Sequence, residues 1–286
     1  MKTNKNKYLS CIDYLVTNQQ FDLLYNEELD MLETYPMPSL DKLPSYYKSE
    51  AYISHTDSSK TLMDKVYQFV KKINIKYKLN LINSLEITDN KILDIGCGTG
   101  DFLASCKNNN YKVYGVEPSE KANKIASKKI GEDLFKNLND IREAQFDVIT
   151  LWHVLEHVPN LEDYITKIKS LLKSGGFLII AVPNFKSFDA NYYKQYWAAF
   201  DVPRHLWHFS KKAIQSIFFK HQITMVKIIP MKFDAYYVSM LSEKNKSQKS
   251  NFIKAICIGW WSNLKAIRSK EYSSLIYVLK NEQKLF

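Results

Sequence analysis

Residues 91–102 read KILDIGCGTGDF, a short apolar run that leads into three glycines spaced Gly-x-Gly-x-Gly. The run at 91–95 predicts a buried strand, and residues 102–108 predict a helix directly after the glycines. A dinucleotide-binding loop has its third glycine one residue later and places a helix N-terminus under a pyrophosphate. Here Asp94 precedes the first glycine. Its carboxylate would repel a pyrophosphate but suits a ligand with an ammonium group, which the glycines would let the backbone approach closely.

Short apolar runs alternate with helical stretches along the rest of the chain. Further strands are predicted at 112–116, 146–151, 177–182, 223–229 and 274–279, and helices at 59–85, 119–129, 161–172 and 210–220. Ser210 is a residue type that commonly begins a helix. Strands that alternate with helices indicate an α/β fold, with a doubly wound, Rossmann-like parallel sheet and helices on both faces.

Three segments lie outside this alternation. Residues 1–58 carry many tyrosines and three prolines, and they are interpreted as a loop-rich N-terminal cap on a domain at 59–286. Residues 184–209 are dense in aromatic side chains, which predicts either a lid over an acceptor pocket or packing in the core. Residues 231–272 predict a helical insertion with a polar linker at 242–251, because a structureless loop of that length is uncommon.

Composition narrows the classes of function. The 286 residues carry a net charge of +10, almost all of it from lysine, with only Arg142, Arg204 and Arg268 as arginines. Specific phosphate binding favours arginine forks, so a nucleic-acid partner is not indicated. No apolar run is long enough for a membrane-spanning helix, and the polar, lysine-rich start does not resemble a signal peptide. Four scattered cysteines predict a reducing, cytoplasmic compartment.

Four motifs in the same order resemble those of class I S-adenosylmethionine-dependent methyltransferases. The first is DIGCGTG at 94–100, and the second is YGVEPS at 114–119, where Glu117 stands 21 residues after Gly96 (117 − 96 = 21). The third is FDVITLWHVLEHV at 146–158, and the fourth is LLKSGGFLII at 171–180. The sequences of these motifs are similar to those of the bacterial type 11/23 methyltransferase branch, which includes quinone and other small-molecule O-methyltransferases.

The resemblance implies S-adenosylmethionine as the cofactor and assigns residues to it. The methionine end of the cofactor would be held by the first motif, through Asp94, Gly96, Cys97, Gly98 and Gly100. The ribose would be held by Glu117, followed by Pro118, because an acid at this strand end can accept both hydroxyls. The adenine would lie against Asn137 and Leu138, and Trp152 and His153 would close over the cofactor.

Histidines are the candidate bases for a hydroxyl acceptor, because an unperturbed imidazole has a pKa near neutrality. His205 is the first candidate and His208 stands behind it, since both follow the fifth strand of the predicted sheet. Arg204 beside them could pair with an acidic acceptor. His153 is the alternative on the other loop, and each histidine has a structural interpretation as well.

No resident metal is expected. His153 and His157 spell His-x-x-Glu-His, but the first histidine follows a strand rather than lying on a helix. Some quinone O-methyltransferases bind a divalent cation at this turn, where His153 replaces their first acid. Many relatives begin with a zinc ribbon, but Cys11 alone cannot hold a structural zinc. The cap is therefore interpreted as a degenerate, metal-free remnant.

These features predict O-methylation of a small acceptor, aromatic or lipophilic in character. The alternatives are an RNA or protein methyltransferase and a cofactor-binding module without catalysis. Residues 151–154 lack the Asn-Pro-Pro-aromatic sequence of enzymes that methylate base amines. The apolar helix at 252–267, with Trp260, Trp261 and flanking lysines, is predicted either to rest on a membrane surface or to pack onto the sheet. No oligomeric state is predicted.

Overall fold

The computed structural model describes residues 5–47, 62–142, 145–248 and 251–282. The strands in chain order are β1 (Lys5–Ile12), β2 (Gln20–Asn26), β3 (Met31–Tyr35), β4 (Lys91–Ile95), β5 (Lys112–Val116), β6 (Phe146–Trp152), β7 (Leu172–Pro183), β8 (Trp207–His208), β9 (Ile223–Pro230) and β10 (Ser274–Asn281). The helices are α1 (Leu62–Asn83), α2 (Asp101–Lys107), α3 (Glu120–Ile130), α4 (Leu161–Leu171), α5 (Phe188–Tyr193), α6 (Lys211–Lys220), α7 (Asp234–Ser247) and α8 (Phe252–Ser269).

The central sheet has the order β5-β4-β6-β7-β10-β9. Strands β5, β4, β6 and β7 are parallel, which confirms the doubly wound, Rossmann-like prediction for this part of the sheet. Strand β10 is antiparallel to both β7 and β9, so the sheet is mixed. The reason is the α7–α8 pair: two consecutive helices return the chain to the edge at which β9 ended, and β10 must then run in the opposite direction.

Helices cover both faces of this sheet, as predicted. On one face, α1, α2 and α3 contribute to a core that contains Ile82, Leu103 and Ala126. On the other face, α4 and α6 contribute to a core that contains Ile168 and Phe218. The carboxyl ends of the parallel strands are left free of these helices, and this is the edge where ligands bind in such folds.

Helix ends follow the polar residues that the sequence offers. The Ser119 side chain accepts a hydrogen bond from the Ala122 N–H at the start of α3, and Gly131 ends that helix with a left-handed φ of 73°. The Ser210 side chain accepts from the Ala213 N–H at the start of α6, as predicted. These caps satisfy backbone groups that a helix end leaves unpaired.

The N-terminal segment is a sheet rather than the loop-rich cap expected from the sequence. Strands β1, β2 and β3 form an antiparallel meander, and β8 adds to β3 with Leu32 opposite His208. The sequence signal for this sheet was the alternation of apolar and polar residues at the start of β2, where Phe21 and Leu23 are buried between more exposed neighbours. The expected domain boundary at 58/59 lies outside the described residues.

The aromatic segment 184–209 packs against this N-terminal sheet. Phe185, Tyr193, Trp197 and Phe200 are buried in a third core together with residues of β1, β2 and β3. Buried Asp189 accepts hydrogen bonds from Trp197 Nε1 at 2.7 Å and from two serine hydroxyls. Of the two interpretations of these aromatic residues, core packing describes most of them.

The insertion 231–272 is a pair of helices, as predicted, but the expected polar linker at 242–251 is wrong over residues 242–247, which are helical, while residues 249–250 lie outside the described part of the chain. Helix α7 continues to Ser247 because its polar residues have partners there. Ser242 is buried and receives the Ala198 N–H, and Glu243 pairs with Lys254 of α8. Among the described residues, the structure has no helix long and apolar enough to cross a membrane.

Candidate functional site

The glycine loop follows β4 and has three residues with positive φ: Gly96 at 70°, Gly98 at 55° and Gly100 at 76°. A Cβ on Gly96 would lie 2.4 Å from Val154 Cγ2, and one on Gly100 would lie 2.9 Å from the Ala126 Cβ. A Cβ on Gly98 would meet no atom of the described residues within 4 Å. Gly96 and Gly100 are therefore required by packing, whereas Gly98 leaves open space in front of the loop.

Glu117 joins this loop to the end of β5. Its Oε2 accepts a hydrogen bond from the Gly98 N–H at 2.9 Å, and its Oε1 accepts one from the Ser119 N–H at 2.9 Å. Both oxygens are thus held in position by backbone donors. The geometry brings the predicted ribose acid and the predicted methionine loop together.

Asp94 is 2% exposed at the end of β4 and accepts a hydrogen bond from Thr150 Oγ1 at 2.6 Å. Burial raises the pKa of Asp94 to about 7, although the Thr150 bond and the positive charge of Lys78 act in the other direction. Lys78 lies on α1 with Nζ 4.2 Å from the Trp152 ring centroid, and burial lowers its pKa to about 8. The site therefore already accommodates a positive charge near Asp94.

The remaining predicted cofactor residues line the same edge. Cys97 is buried in the loop, and Pro118 follows Glu117 at the end of β5. The Asn137 N–H donates to Asp140 Oδ2 at 3.0 Å, and Leu138 is buried in the short helical turn that follows. The Trp152 indole Nε1 is buried without a hydrogen-bond partner among the described residues.

An S-adenosylmethionine molecule fits these observations. The loop is open in front of Gly98, Asp94 is an acid beside a position that holds a cation, and Trp152 leaves a buried donor unpaired. An unpaired buried donor costs free energy, and a ligand acceptor would remove that cost.

His153 follows β6 with a φ of 57°, and its N–H donates to the Ala181 carbonyl. Its ring lies between two acids: Nδ1 is 3.4 Å from Glu156 Oε1, and Nε2 is 3.4 Å from Asp234 Oδ2. Burial lowers the pKa of His153, but the two carboxylates outweigh this and hold the pKa well above its usual range. The ring is therefore an imidazolium at neutral pH.

Glu156 also faces two further histidines. One nitrogen each of His157 and His205 and a Glu156 oxygen all lie within 4.8 Å of one another. Glu156 is 1% exposed, and neither of its oxygens has a hydrogen-bond partner among the described residues. Burial and the nearby His205 lower the pKa of His157 to about 4, which keeps that ring neutral. This group has the donor types and spacing that could hold a metal ion, although no metal was expected from the sequence.

The predicted bases His205 and His208 lie between the aromatic segment and the N-terminal sheet. His205 is 9% exposed with Nδ1 2.9 Å from the Ala199 carbonyl oxygen. His208 is 4% exposed with Nε2 3.1 Å from Thr34 Oγ1, and burial lowers its pKa to about 3.

Arg204 is not available to an acceptor, so that expectation is wrong. It is 1% exposed, and its guanidinium donates to Asp13, Asp201 and the Tyr46 carbonyl. Through Asp13 and Tyr46, Arg204 joins the aromatic segment to the N-terminal part of the chain.

A cleft of about 300 Å³ opens beside His153, between α1 and the start of α7. Its lining includes Tyr77, Lys78, Met231, Phe233 and Asp234. Lys78 and Asp234 connect it to Asp94 and His153, so the cleft and the glycine loop belong to one site. Sequence reasoning missed both residues: neither belongs to a motif, and each comes from a distant part of the chain.

Comparison with known proteins gives one family. A family model described as "Methyltransferase domain" matches residues 55–228. The chain is similar to a ubiquinone biosynthesis O-methyltransferase of Nitrosomonas europaea, with 29% identity over 37% of this chain and 50% of the relative. It is also similar to one of Coxiella burnetii, with 30% identity over 43% of this chain and 56% of the relative. The chain thus spans about half the length of these curated relatives.

A solved structure supports the fold. The geranyl diphosphate C-methyltransferase of Streptomyces coelicolor A3(2) superposes with a TM-score of 0.54 and 14% identity, over 80% of this chain and 89% of that one. That structure contains S-adenosyl-L-homocysteine. At this identity the likeness concerns the fold alone, and it leaves the acceptor open.

Proposed function

Because this chain belongs to the methyltransferase domain family, we propose that it transfers the methyl group of S-adenosylmethionine to an oxygen atom of a small acceptor. When bound, the cofactor supplies an electrophilic methyl group on a sulfonium. The names of the curated relatives support an oxygen acceptor. The apolar lining of the cleft, with Tyr77, Met231 and Phe233, supports an aromatic or lipophilic one.

Binding of the cofactor is assigned to the loop edge. Asp94 would attract the ammonium group, Gly98 would let the backbone approach, and Glu117 would accept hydrogen bonds from the ribose hydroxyls. Asn137 and Leu138 remain the proposed adenine contacts. Trp152 and His153 would close the site and exclude water from the transfer.

The observation that carries the proposal is the position of His153 between Glu156 and Asp234. Both ring N–H groups face carboxylates, so the ring would neither remove a proton from the acceptor nor donate to it. Its positive charge would instead position the Asp234 carboxylate, which also lines the cleft. The Asp234 carboxylate would accept the proton of an acidic hydroxyl such as a phenol as the hydroxyl oxygen takes the methyl group from the sulfonium. The nearby positive charge of His153 would stabilise the developing phenolate. His205 and His208 are buried away from the cleft lining, and His205 would act through Glu156 as a positioning residue.

The test is transfer of label from methyl-labelled S-adenosylmethionine. Phenols with an apolar tail, carboxylic acids, primary amines and RNA are offered to the purified chain in parallel. We expect label in the O-methyl ether of the phenol. Label in the amine or RNA fraction, or in no fraction, would contradict O-methylation of a small acceptor.

The role of His153 is tested with matched histidine variants. His153→Ala should lower turnover by about 10²–10³, which is the usual cost of losing a group that stabilises developing charge, with a much smaller effect on cofactor affinity. His221→Ala is the control, because His221 pairs with Glu162 on another part of the protein. A loss below about threefold in His153→Ala, with a larger loss in His205→Ala, would move the role to His205.

A further inference from the structure

Helix α8 has its small residues inside and its large apolar residues outside. Its buried positions are Ala255, Gly259, Ser262 and Ala266. Its exposed positions form an outward stripe, which is defined here as Ile253, Ile256, Trp260, Leu264 and Ile267. The exposed fractions reach 77% at Ile253, 54% at Trp260 and 59% at Ile267. Most helices of globular proteins have the opposite arrangement.

Packing fixes this orientation. A Cβ on Gly259 would lie 2.8 Å from Tyr236 Cδ1 of α7, so a larger residue cannot take the inner position. On the same side, Ser262 Oγ donates to buried Asp189 Oδ1 at 2.6 Å. The helix therefore cannot turn to bury the outward stripe within its own chain.

The stripe follows one line along the helix. Its members are spaced by three or four residues, which places them on a single face. The 18 residues of α8 span about 27 Å at the usual rise per residue. Trp260 and Trp261 are both exposed, and tryptophan is enriched where an apolar layer meets water.

Charge identifies the occupant of this face. Residues 251–270 contain no acid, while Lys254, Lys265, Arg268 and Lys270 are basic. Lys254 pairs with Glu243, whereas Lys265, Arg268 and Lys270 are exposed. A second copy docked through the same face would supply no negative charge to these cations, because a twofold interface joins identical patches and residues 251–270 contain no acid. A surface of anionic lipid has the complementary charge.

We propose that the outward stripe of α8 lies in the surface of an anionic membrane, with the helix parallel to the bilayer plane. The apolar side chains enter the boundary between headgroups and acyl chains, and Lys265, Arg268 and Lys270 contact the headgroups. The outward stripe is connected to the proposed acceptor cleft through α7. Helix α8 packs against α7 at Gly259, and Asp234 at the start of α7 pairs with His153 and lines the cleft. Delivery of a lipophilic acceptor from the membrane rests on the proposed function, but the docking itself does not.

The experiment is co-sedimentation of the whole chain with vesicles. Vesicles of phosphatidylcholine alone are compared with vesicles that also contain phosphatidylglycerol. We expect binding to the anionic vesicles, weakened by salt. The triple variant Ile253→Ser, Trp260→Ser and Ile267→Ser should lower the partition coefficient by at least about tenfold. The matched control is Phe219→Ser with Val226→Ser, two exposed apolar residues on other elements, and it should bind like the unaltered chain.

A charge variant measures the electrostatic contribution to membrane binding. Lys265→Gln with Arg268→Gln should weaken binding to anionic vesicles by about fivefold per cation, with no effect on neutral vesicles. All variants should keep the thermal unfolding midpoint, since the changed side chains are exposed.

Three results would overturn the proposal. They are absence of binding by the unaltered chain, equal binding by the triple variant, and a dimer in light scattering that the triple variant converts to a monomer. The last would assign the stripe to a second copy. No methyl acceptor is present in this assay, so failure here is distinguishable from failure of the proposed O-methylation.

Discussion

Replacing Asp94 by Asn should stabilise the free protein at alkaline pH while weakening its hold on the cofactor. Burial raises the pKa of this carboxyl from 3.8 to about 7, so the fold favours its protonated form. The stability that Asp94 contributes is complete below pH 3.8 and is lost as the pH rises through about 7. The amide cannot ionise and avoids this loss, and its carbonyl oxygen can still accept the Thr150 hydrogen bond.

The two pKa values set the magnitude. Asp94 has a pKa of 3.8 in the unfolded chain and about 7 in the folded one. Between pH 5 and pH 8 this difference lowers the unfolding free energy of the unaltered chain by about 2.5 kcal/mol relative to Asp94→Asn. Lys78 acts in the same direction. In Asp94→Asn the pKa of Lys78 falls further below about 8, because the carboxylate charge beside it is gone. The buried Lys78 cation then destabilises the variant more at pH 5 than at pH 8.

The assay is urea unfolding of both proteins at pH 5 and pH 8, with calorimetric titration of S-adenosylhomocysteine at pH 8. The variant should bind more weakly by about 1.5–3 kcal/mol, the usual range for a charge-assisted hydrogen bond.

Asp147→Asn is the control. Burial raises the pKa of Asp147, but hydrogen bonds from Lys173, the Lys91 N–H and Thr88 outweigh it and lower the pKa to about 2. Its contribution is present above pH 3.8 and is lost only as the pH falls through about 2, so this variant should be less stable by the same amount at both pH values. A difference between Asp94→Asn and the unaltered chain that does not change from pH 5 to pH 8 would refute the reasoning.

Two further predictions concern the loop. Glu117→Ala should weaken binding of S-adenosylhomocysteine by about 1.5–3 kcal/mol, and a change of only a few tenths would remove Glu117 from the ribose site. Gly98→Ala should weaken binding because its Cβ enters the open space in front of the loop. Gly131→Ala has a similar positive φ and equally open surroundings at the end of α3, so it should lose a similar amount of stability without losing binding. Equal affinities in these two glycine variants would show that the space before Gly98 is not the cofactor site.

Local signals in the sequence were sufficient for much of the fold. The strands at 91–95 and 112–116 and the helix that begins after Ser210 were predicted with their observed bounds, because each is specified by neighbouring residues. The glycine loop has its own local pattern, Glu117 was assigned through the family resemblance, and the structure joins the two by a hydrogen bond.

Features that depend on distant contacts could not be predicted. Asp234 lies 81 residues after His153 (234 − 153 = 81), and nothing near Asp234 in the sequence indicates the ion pair. Lys78 lies on an amphipathic helix, where a lysine ordinarily faces solvent. Ser242 and Glu243 were interpreted as a linker because they are polar, yet both are buried with partners supplied by other elements.

The pairing of β3 with β8 has a consequence for synthesis on the ribosome. Leu32 faces His208, so the N-terminal sheet lacks its fourth strand until 176 more residues have been made (208 − 32 = 176). At ordinary elongation rates this delay is about 10–35 s, during which the apolar side of β2 has no aromatic segment to cover it. Strands β1 to β3 therefore leave the ribosome well before their sheet is completed, and a nascent chain that stalls before residue 208 would present them to chaperones.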